Sequence, residues 1–188
     1  DHPPLEAIGI SIFHSIAAFN NSGFDILGGL QNLIPYQNNL LLNLTTAGLI
    51  IFGGLGFLVI LDILKKRSFR ALALHSKVVI VMSAVLILLG TLLLKATENV
   101  TWLGAFFQSV SARTAGFSTY PIGSFTDAGL FVLILLMFVG ASPGSTGGGI
   151  KTTTLFALLQ ATRSAATGRM PTAFRRTVAG EVVQKAFI

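Results

Sequence analysis

Gly140-Ala141-Ser142-Pro143-Gly144-Ser145-Thr146-Gly147-Gly148-Gly149-Ile150-Lys151-Thr152 interrupts an otherwise apolar run from Ala128 to Ala161. Apolar sequence on both sides asks for a membrane helix, since about 20 such residues cross a bilayer. Proline and repeated glycine in the middle cannot sustain it. The stretch therefore reads as a span broken inside the membrane, where non-helical backbone survives only if protein buries it or a watery cavity lines it. Ser142, Ser145 and Thr146 suit a wet cavity. From Gly144 onward the segment nearly spells the phosphate-binding pattern G-x-x-x-x-G-K-[ST], but Ile150 separates Gly149 from Lys151. A working loop of that kind follows a core strand and opens a helix in water, so nucleotide binding is set aside here. Two readings of the break remain: a flexible element that blocks or opens a path, and a structural kink.

The rest of the composition agrees with a membrane setting. Of 188 residues, 52% are apolar and 11% charged, against roughly 25% charged in a soluble domain. Mean hydropathy is +0.76, which excludes disorder and argues against a water-soluble globule. There is no cysteine, so disulfides, thiolate metal sites and cysteine nucleophiles are excluded. His2, His14 and His75 are scattered, and the few acids suggest no catalytic pairing. Leu40 to Leu64 is expected to be one spanning helix, its first charge being Asp62. Val78 to Leu94 reads as a second span, at the short end of the range.

Basic residues set the orientation, because lysine and arginine accumulate in short cytoplasmic loops. Lys65, Lys66, Arg67, Arg70 and Lys77 follow the first span, and Arg163, Arg169, Arg175, Arg176 and Lys185 fill the tail. Asp1, Glu6, Asp25, Glu98 and Asp127 fall on the other side. The net charge of +6 is thus a topology signal rather than a nucleic-acid footprint, and the expected surroundings are lipid. Asp1 to Pro4 has no signal-peptide character. The chain reads as an internal fragment of a longer membrane protein.

Self-similarity appears at a separation of 93 or 94 residues, depending on whether glycine or the first phenylalanine is aligned. Phe13-His14-Ser15-Ile16-Ala17-Ala18 leads to Ser22-Gly23-Phe24, and Phe107-Gln108-Ser109-Val110-Ser111-Ala112 leads to Ala115-Gly116-Phe117. The one-residue slip predicts that the helix-to-loop junction differs between the copies. Each copy is a short apolar helix, Leu5 to Phe19 or Thr101 to Ala112, too short to span and ending in a glycine loop before a long span. That is the pattern of a re-entrant pore helix and filter, in which rings of backbone carbonyls replace a cation's hydration shell. An ordinary outer loop after an interfacial helix is the alternative.

These motifs resemble the Trk/Ktr/HKT superfamily of potassium transporters, and within it most the bacterial Ktr branch. The resemblance rests on Asn20 to Phe24, Ala112 to Thr119 and Gly140 to Thr152, and extends over nearly the whole chain. It implies an all-α integral membrane protein of tandem helix–pore loop–helix repeats, with the last span broken by a Gly-rich intramembrane loop. Residues 1–64 would form a partial pore-loop unit, 65–77 a basic connector, 78–162 a complete unit, and 163–188 a basic tail leading to a further unit. The implied function is the pore-forming subunit of a potassium uptake system in a bacterial plasma membrane, not an enzyme. A non-conducting scaffold and a subunit of a nucleotide-driven pump are the alternatives. Implied partners are a second copy of the subunit and a cytoplasmic nucleotide-binding regulatory ring. No cofactor is expected, with K+ as the transported ion and Na+ as a second candidate.

By the same resemblance, one filter uses the carbonyls of Asn20, Asn21, Ser22 and Gly23, and the other those of Arg113, Thr114, Ala115 and Gly116. The side chains of Asn21 and Thr114 are expected to brace these loops. Arg113 is expected to point away from the ion and pair with an acid or a carbonyl, since its charge would repel a cation. The gate would run from Gly140 to Gly149 with Lys151 behind it, Lys151 forming either a positive barrier or a side chain reaching the cytoplasmic interface. Asp25 reads equally as an attractor at the outer mouth and as a solvated loop acid. Gly53, Gly54 and Gly56 in the first span are explained by close packing, with a hinge matching the later break as the sharper alternative.

Overall fold

The computed structural model describes residues 3–29, 31–168, 170, 172–174 and 176–177. Expectations resting on Asp1, His2, Arg169, the Arg175 and Arg176 side chains and residues from 178 onward fall outside them. The described helices are α1 (Pro4–Phe19), α2 (Leu40–Leu55), α3 (Phe57–Lys66), α4 (Leu74–Thr97), α5 (Trp102–Ala112), α6 (Asp127–Phe138) and α7 (Thr152–Thr167). A short antiparallel pair, β1 (Thr172–Ala173) and β2 (Arg176–Thr177), follows.

Helix starts follow from local chemistry. Pro4 occupies the first turn of α1, where its missing N–H costs nothing. Asn39, Thr101 and Thr126 cap α2, α5 and α6 by accepting from Leu42 N, Gly104 N and Gly129 N at 3.0, 3.1 and 3.1 Å. Thr126 also donates its hydroxyl to Glu98 Oε1 at 2.6 Å, which ties the end of α4 to the start of α6.

Among the described residues α4, 24 residues long, is the one helix long and apolar enough to cross a membrane unaided. It packs against α3, α5, α6 and α7, while α5 also contacts α2 and α2 contacts α1. Close approach is bought with small residues: a Cβ on Gly90 of α4 would overlap Ser109 Oγ of α5, and that hydroxyl donates to Ile87 O at 2.8 Å. Phe107 and Phe117 are fully buried in the core shared by α1, α2 and α5. Leu88 and Leu92 of α4 and Phe131, Ile134 and Phe138 of α6 are exposed, the surface a helix presents to lipid or to further helices.

The first span departs from expectation. Instead of one helix from Leu40 to Leu64, the chain breaks at Gly56 and α3 leaves α2 at 98°. Gly56 adopts φ 88° and ψ 147°, a conformation open essentially to glycine alone. The later break lies where the sequence places it, with Val139 and Ile150 pairing as an isolated parallel bridge between α6 and α7.

Candidate functional site

The two glycine loops share one backbone pattern. Asn21 and Gly23 lie in the left-handed region at φ 52° and 71°, and Thr114 and Gly116 match them at 72° and 87°. The filter segments therefore keep a strict 93-residue register. The expected difference at the junction lies in the hydrogen bonds that close the helices: Ser22 N donates to Ala17 O, whereas in the second copy both Ala115 N and, one place later, Gly116 N donate to Ser111 O.

The loops also meet. A Cβ on Gly23 would lie 2.6 Å from Ala115 O, and one on Gly116 would lie 3.5 Å from Gly23 Cα. Beside them a cavity of about 520 Å³ is lined by Asn21, Ser22, Thr114, Ala115 and Gly116, with Met137 of α6 among its apolar walls. Two of the expected carbonyl segments thus stand side by side at one opening, as neighbouring members of an ion-coordinating ring would.

The Gly140–Gly149 loop is bonded directly beneath them. Asn21 Nδ2 donates to Thr146 Oγ1 at 2.7 Å, and Thr146 Oγ1 donates to Phe19 O at 3.0 Å. Gly148 N donates to Thr114 Oγ1 at 3.1 Å. The side chains of Asn21 and Thr114 therefore do brace, and what they brace against is the Gly-rich loop. Within the loop, Gly140 N donates to Ile150 O and Ala141 N to Gly148 O.

Arg113 is 9% exposed and donates from Nη2 to Gly140 O at 3.0 Å. Its partner is a carbonyl at the mouth of the break, so its charge is held on the loop. Lys151 Nζ donates to Gly147 O at 2.8 Å and closes the loop on itself. Asp25 accepts from Leu27 N at 3.1 Å and from Asn32 Nδ2 at 3.2 Å, which makes it a brace of the turn beyond Gly23.

Asn32 is the residue that sequence reasoning missed. At φ 50°, its Nδ2 donates to Gly23 O at 3.3 Å and its Oδ1 accepts from Ser118 N at 3.0 Å. One amide thus clips both glycine loops together. His14 contributes similarly, with Nε2 2.8 Å from Thr46 Oγ1 and its ring edge-on to Phe117 at 5.1 Å. Nothing in the spacing of either residue announces these contacts.

Residues 5–188 match the family described as "TrkH: Cation transport protein". The chain belongs to this family. Ktr system potassium uptake protein B of Vibrio alginolyticus is 41% identical over 166 residues, 81% of this chain and 36% of that protein. Potassium/sodium uptake protein NtpJ of Enterococcus hirae is 37% identical over 193 residues, 96% of this chain and 42% of that protein. The crystal structure of the potassium transporter TrkH from Vibrio parahaemolyticus superposes with a TM-score of 0.72 at 22% identity, covering 95% of this chain and 41% of that one, and shows a shared fold. The chain spans about two fifths of the length of these relatives. It is an all-α membrane protein of a cation transport family, and the matched range includes the motifs that carry the resemblance.

Proposed function

We propose that this chain forms part of the pore-forming subunit of a bacterial potassium uptake system. The observation that carries the reading is the meeting of Gly23 and Gly116 loops with one left-handed pattern, directly above the Gly-rich break. Carbonyls of Asn20, Asn21, Ser22 and Gly23 and of Arg113, Thr114, Ala115 and Gly116 replace the water around the ion, and two further loops complete the ring. Left-handed residues at alternate positions turn the carbonyls of a non-helical segment toward a common side, whereas those of a regular strand point alternately to either side. Below the filter the Gly140–Gly149 loop blocks the path until it moves.

K+ is the transported ion and Na+ a second candidate; the chain itself carries no cofactor and no catalytic chemistry. The basic connector and tail face the cytoplasm of the bacterial plasma membrane, and a potential of 100 mV, negative inside, draws each cation inward by about 2.3 kcal/mol. Two copies of the subunit and a cytoplasmic nucleotide-binding ring complete the assembly. Support for the ion comes from the names of the relatives, which speak of potassium and of potassium and sodium uptake.

Ion binding tests the reading without flux. An ion that binds only the folded state raises the unfolding midpoint as its concentration passes its Kd. Potassium or rubidium should raise the midpoint of the purified full-length parent more than equal sodium, and Gly116→Asp should remove the difference. Equal shifts from all three ions, or a response indifferent to Gly116, would overturn the filter.

A further inference from the structure

Three backbone bonds link the break in the first span to the Gly-rich loop. Phe57 N donates to Gly144 O at 3.1 Å, Thr146 N to Gly53 O at 3.3 Å, and Ser142 N to Gly54 O at 3.1 Å. In an unbroken helix Phe57 N would instead donate to Gly53 O, and Leu58 N to Gly54 O, four residues back. The loop has therefore taken the partners that a continuous α2–α3 would give to itself. The two sets are mutually exclusive at Phe57 N, which has one hydrogen to donate, and compete for Gly53 O, so a helix that recovers its own bonds must release Gly144.

A Cβ on Gly53 would overlap Phe19 O, and one on Gly56 would lie 2.7 Å from Pro143 O. The glycines read from sequence as close-packing positions or a hinge thus do both: Gly53 lies against the end of α1, Gly54 and Gly56 against the loop, and Gly56 holds the bend.

We propose that α2–α3 is a two-state latch: bent at Gly56 it holds the Gly140–Gly149 loop in place, and straightened it reclaims Gly53 O and Gly54 O and frees the loop. This rests on the reading of that loop as the gate.

Two substitutions push the latch in opposite directions. Gly56→Ala favours the straight helix, since alanine is the better helix former and disfavours φ 88°. Phe57→Pro disfavours it, since an interior proline loses its N–H and clashes with the carbonyl four residues back, yet proline is welcome at the first position of the separate helix α3; the bond from Phe57 N to Gly144 O is lost as well, the smaller of the two effects, and the bonds to Gly53 O and Gly54 O remain to hold the loop. The Phe57 side chain is exposed, so little packing is lost. Rubidium uptake by the full-length parent is measured for each variant, alone and combined with deletion of Gly144 to Gly149, with membrane levels followed on blots.

Gly56→Ala should raise the maximal rate about fivefold, the factor set by the glycine-to-alanine helix preference. Phe57→Pro should lower it at least tenfold, and neither should change half-saturation. On the loop-deleted background both effects should vanish. If both variants lower uptake, if neither moves it, or if the effects persist without the loop, the latch is wrong. Should Gly56→Ala fail to reach the membrane, unchanged or raised uptake by Phe57→Pro overturns the proposal alone. If the loop deletion itself leaves the maximal rate unchanged, the gate reading fails and takes the latch with it.

Discussion

Asn21 and Thr146, 125 positions apart, meet through a 2.7 Å hydrogen bond from Nδ2 to Oγ1. It joins the first glycine loop to the Gly-rich segment, so the two elements proposed as filter and gate are in direct contact. Thr146→Val removes this bond and the one from Thr146 Oγ1 to Phe19 O. The loss should be about 1–2 kcal/mol, read as a lower thermal midpoint of the purified full-length parent. Thr162→Val, whose hydroxyl meets only the carbonyl one turn back, should leave the midpoint nearly unchanged.

Gly23 and Gly116 should not be equivalent. Alanine at either costs roughly 1–2 kcal/mol for the left-handed backbone. At Gly23 the added methyl also meets Ala115 O at 2.6 Å, whereas at Gly116 it finds Gly23 Cα at an ordinary 3.5 Å. Rubidium uptake should therefore survive better in Gly116→Ala than in Gly23→Ala, and the reverse order would show that the loops do not meet in this way.

Asn32 holds Gly23 O and Ser118 N with one amide. Asn32→Asp keeps the acceptor but loses the donor and places a second carboxylate beside Asp25. Discrimination of rubidium over sodium should fall in competition uptake assays, with Asn32→Ala falling at least as far. Retained discrimination in both variants would make the clip purely structural.

The Arg113 guanidinium donates to Gly140 O from a buried position. Arg113→Ala should cost roughly 1.5–3 kcal/mol, the range for a hydrogen bond to a charged group. Thermal unfolding measures this, and a larger drop than for Thr146→Val is the expected order.

How far these contacts were legible in the sequence differs by element. The Gly140–Gly149 break was plain, because proline and clustered glycine inside an apolar run admit no continuous helix. The paired glycine loops were visible through their repeat, which also led to the family. The bend at Gly56 was legible only as the hinge alternative to close packing, since Gly53, Gly54 and Gly56 lie in a run apolar enough to continue as helix, and what breaks it is a loop about 90 residues away claiming its carbonyls. Asn32 was hidden for a similar reason: its role comes from a partner at Ser118, and a lone asparagine in a polar loop carries no spacing that points there. Arg113 fell between, its need for a carbonyl or an acid being evident but Gly140 being identifiable only from the fold.

The most direct test of the account is rubidium uptake into potassium-starved bacteria expressing the full-length parent, with Gly116→Asp alongside. A carboxylate in place of that glycine puts a side chain and a charge where the account needs bare carbonyls. Saturable uptake by the parent, abolished by Gly116→Asp at equal membrane levels, is the predicted result; uptake that is absent, or that proceeds unchanged in Gly116→Asp, would contradict it.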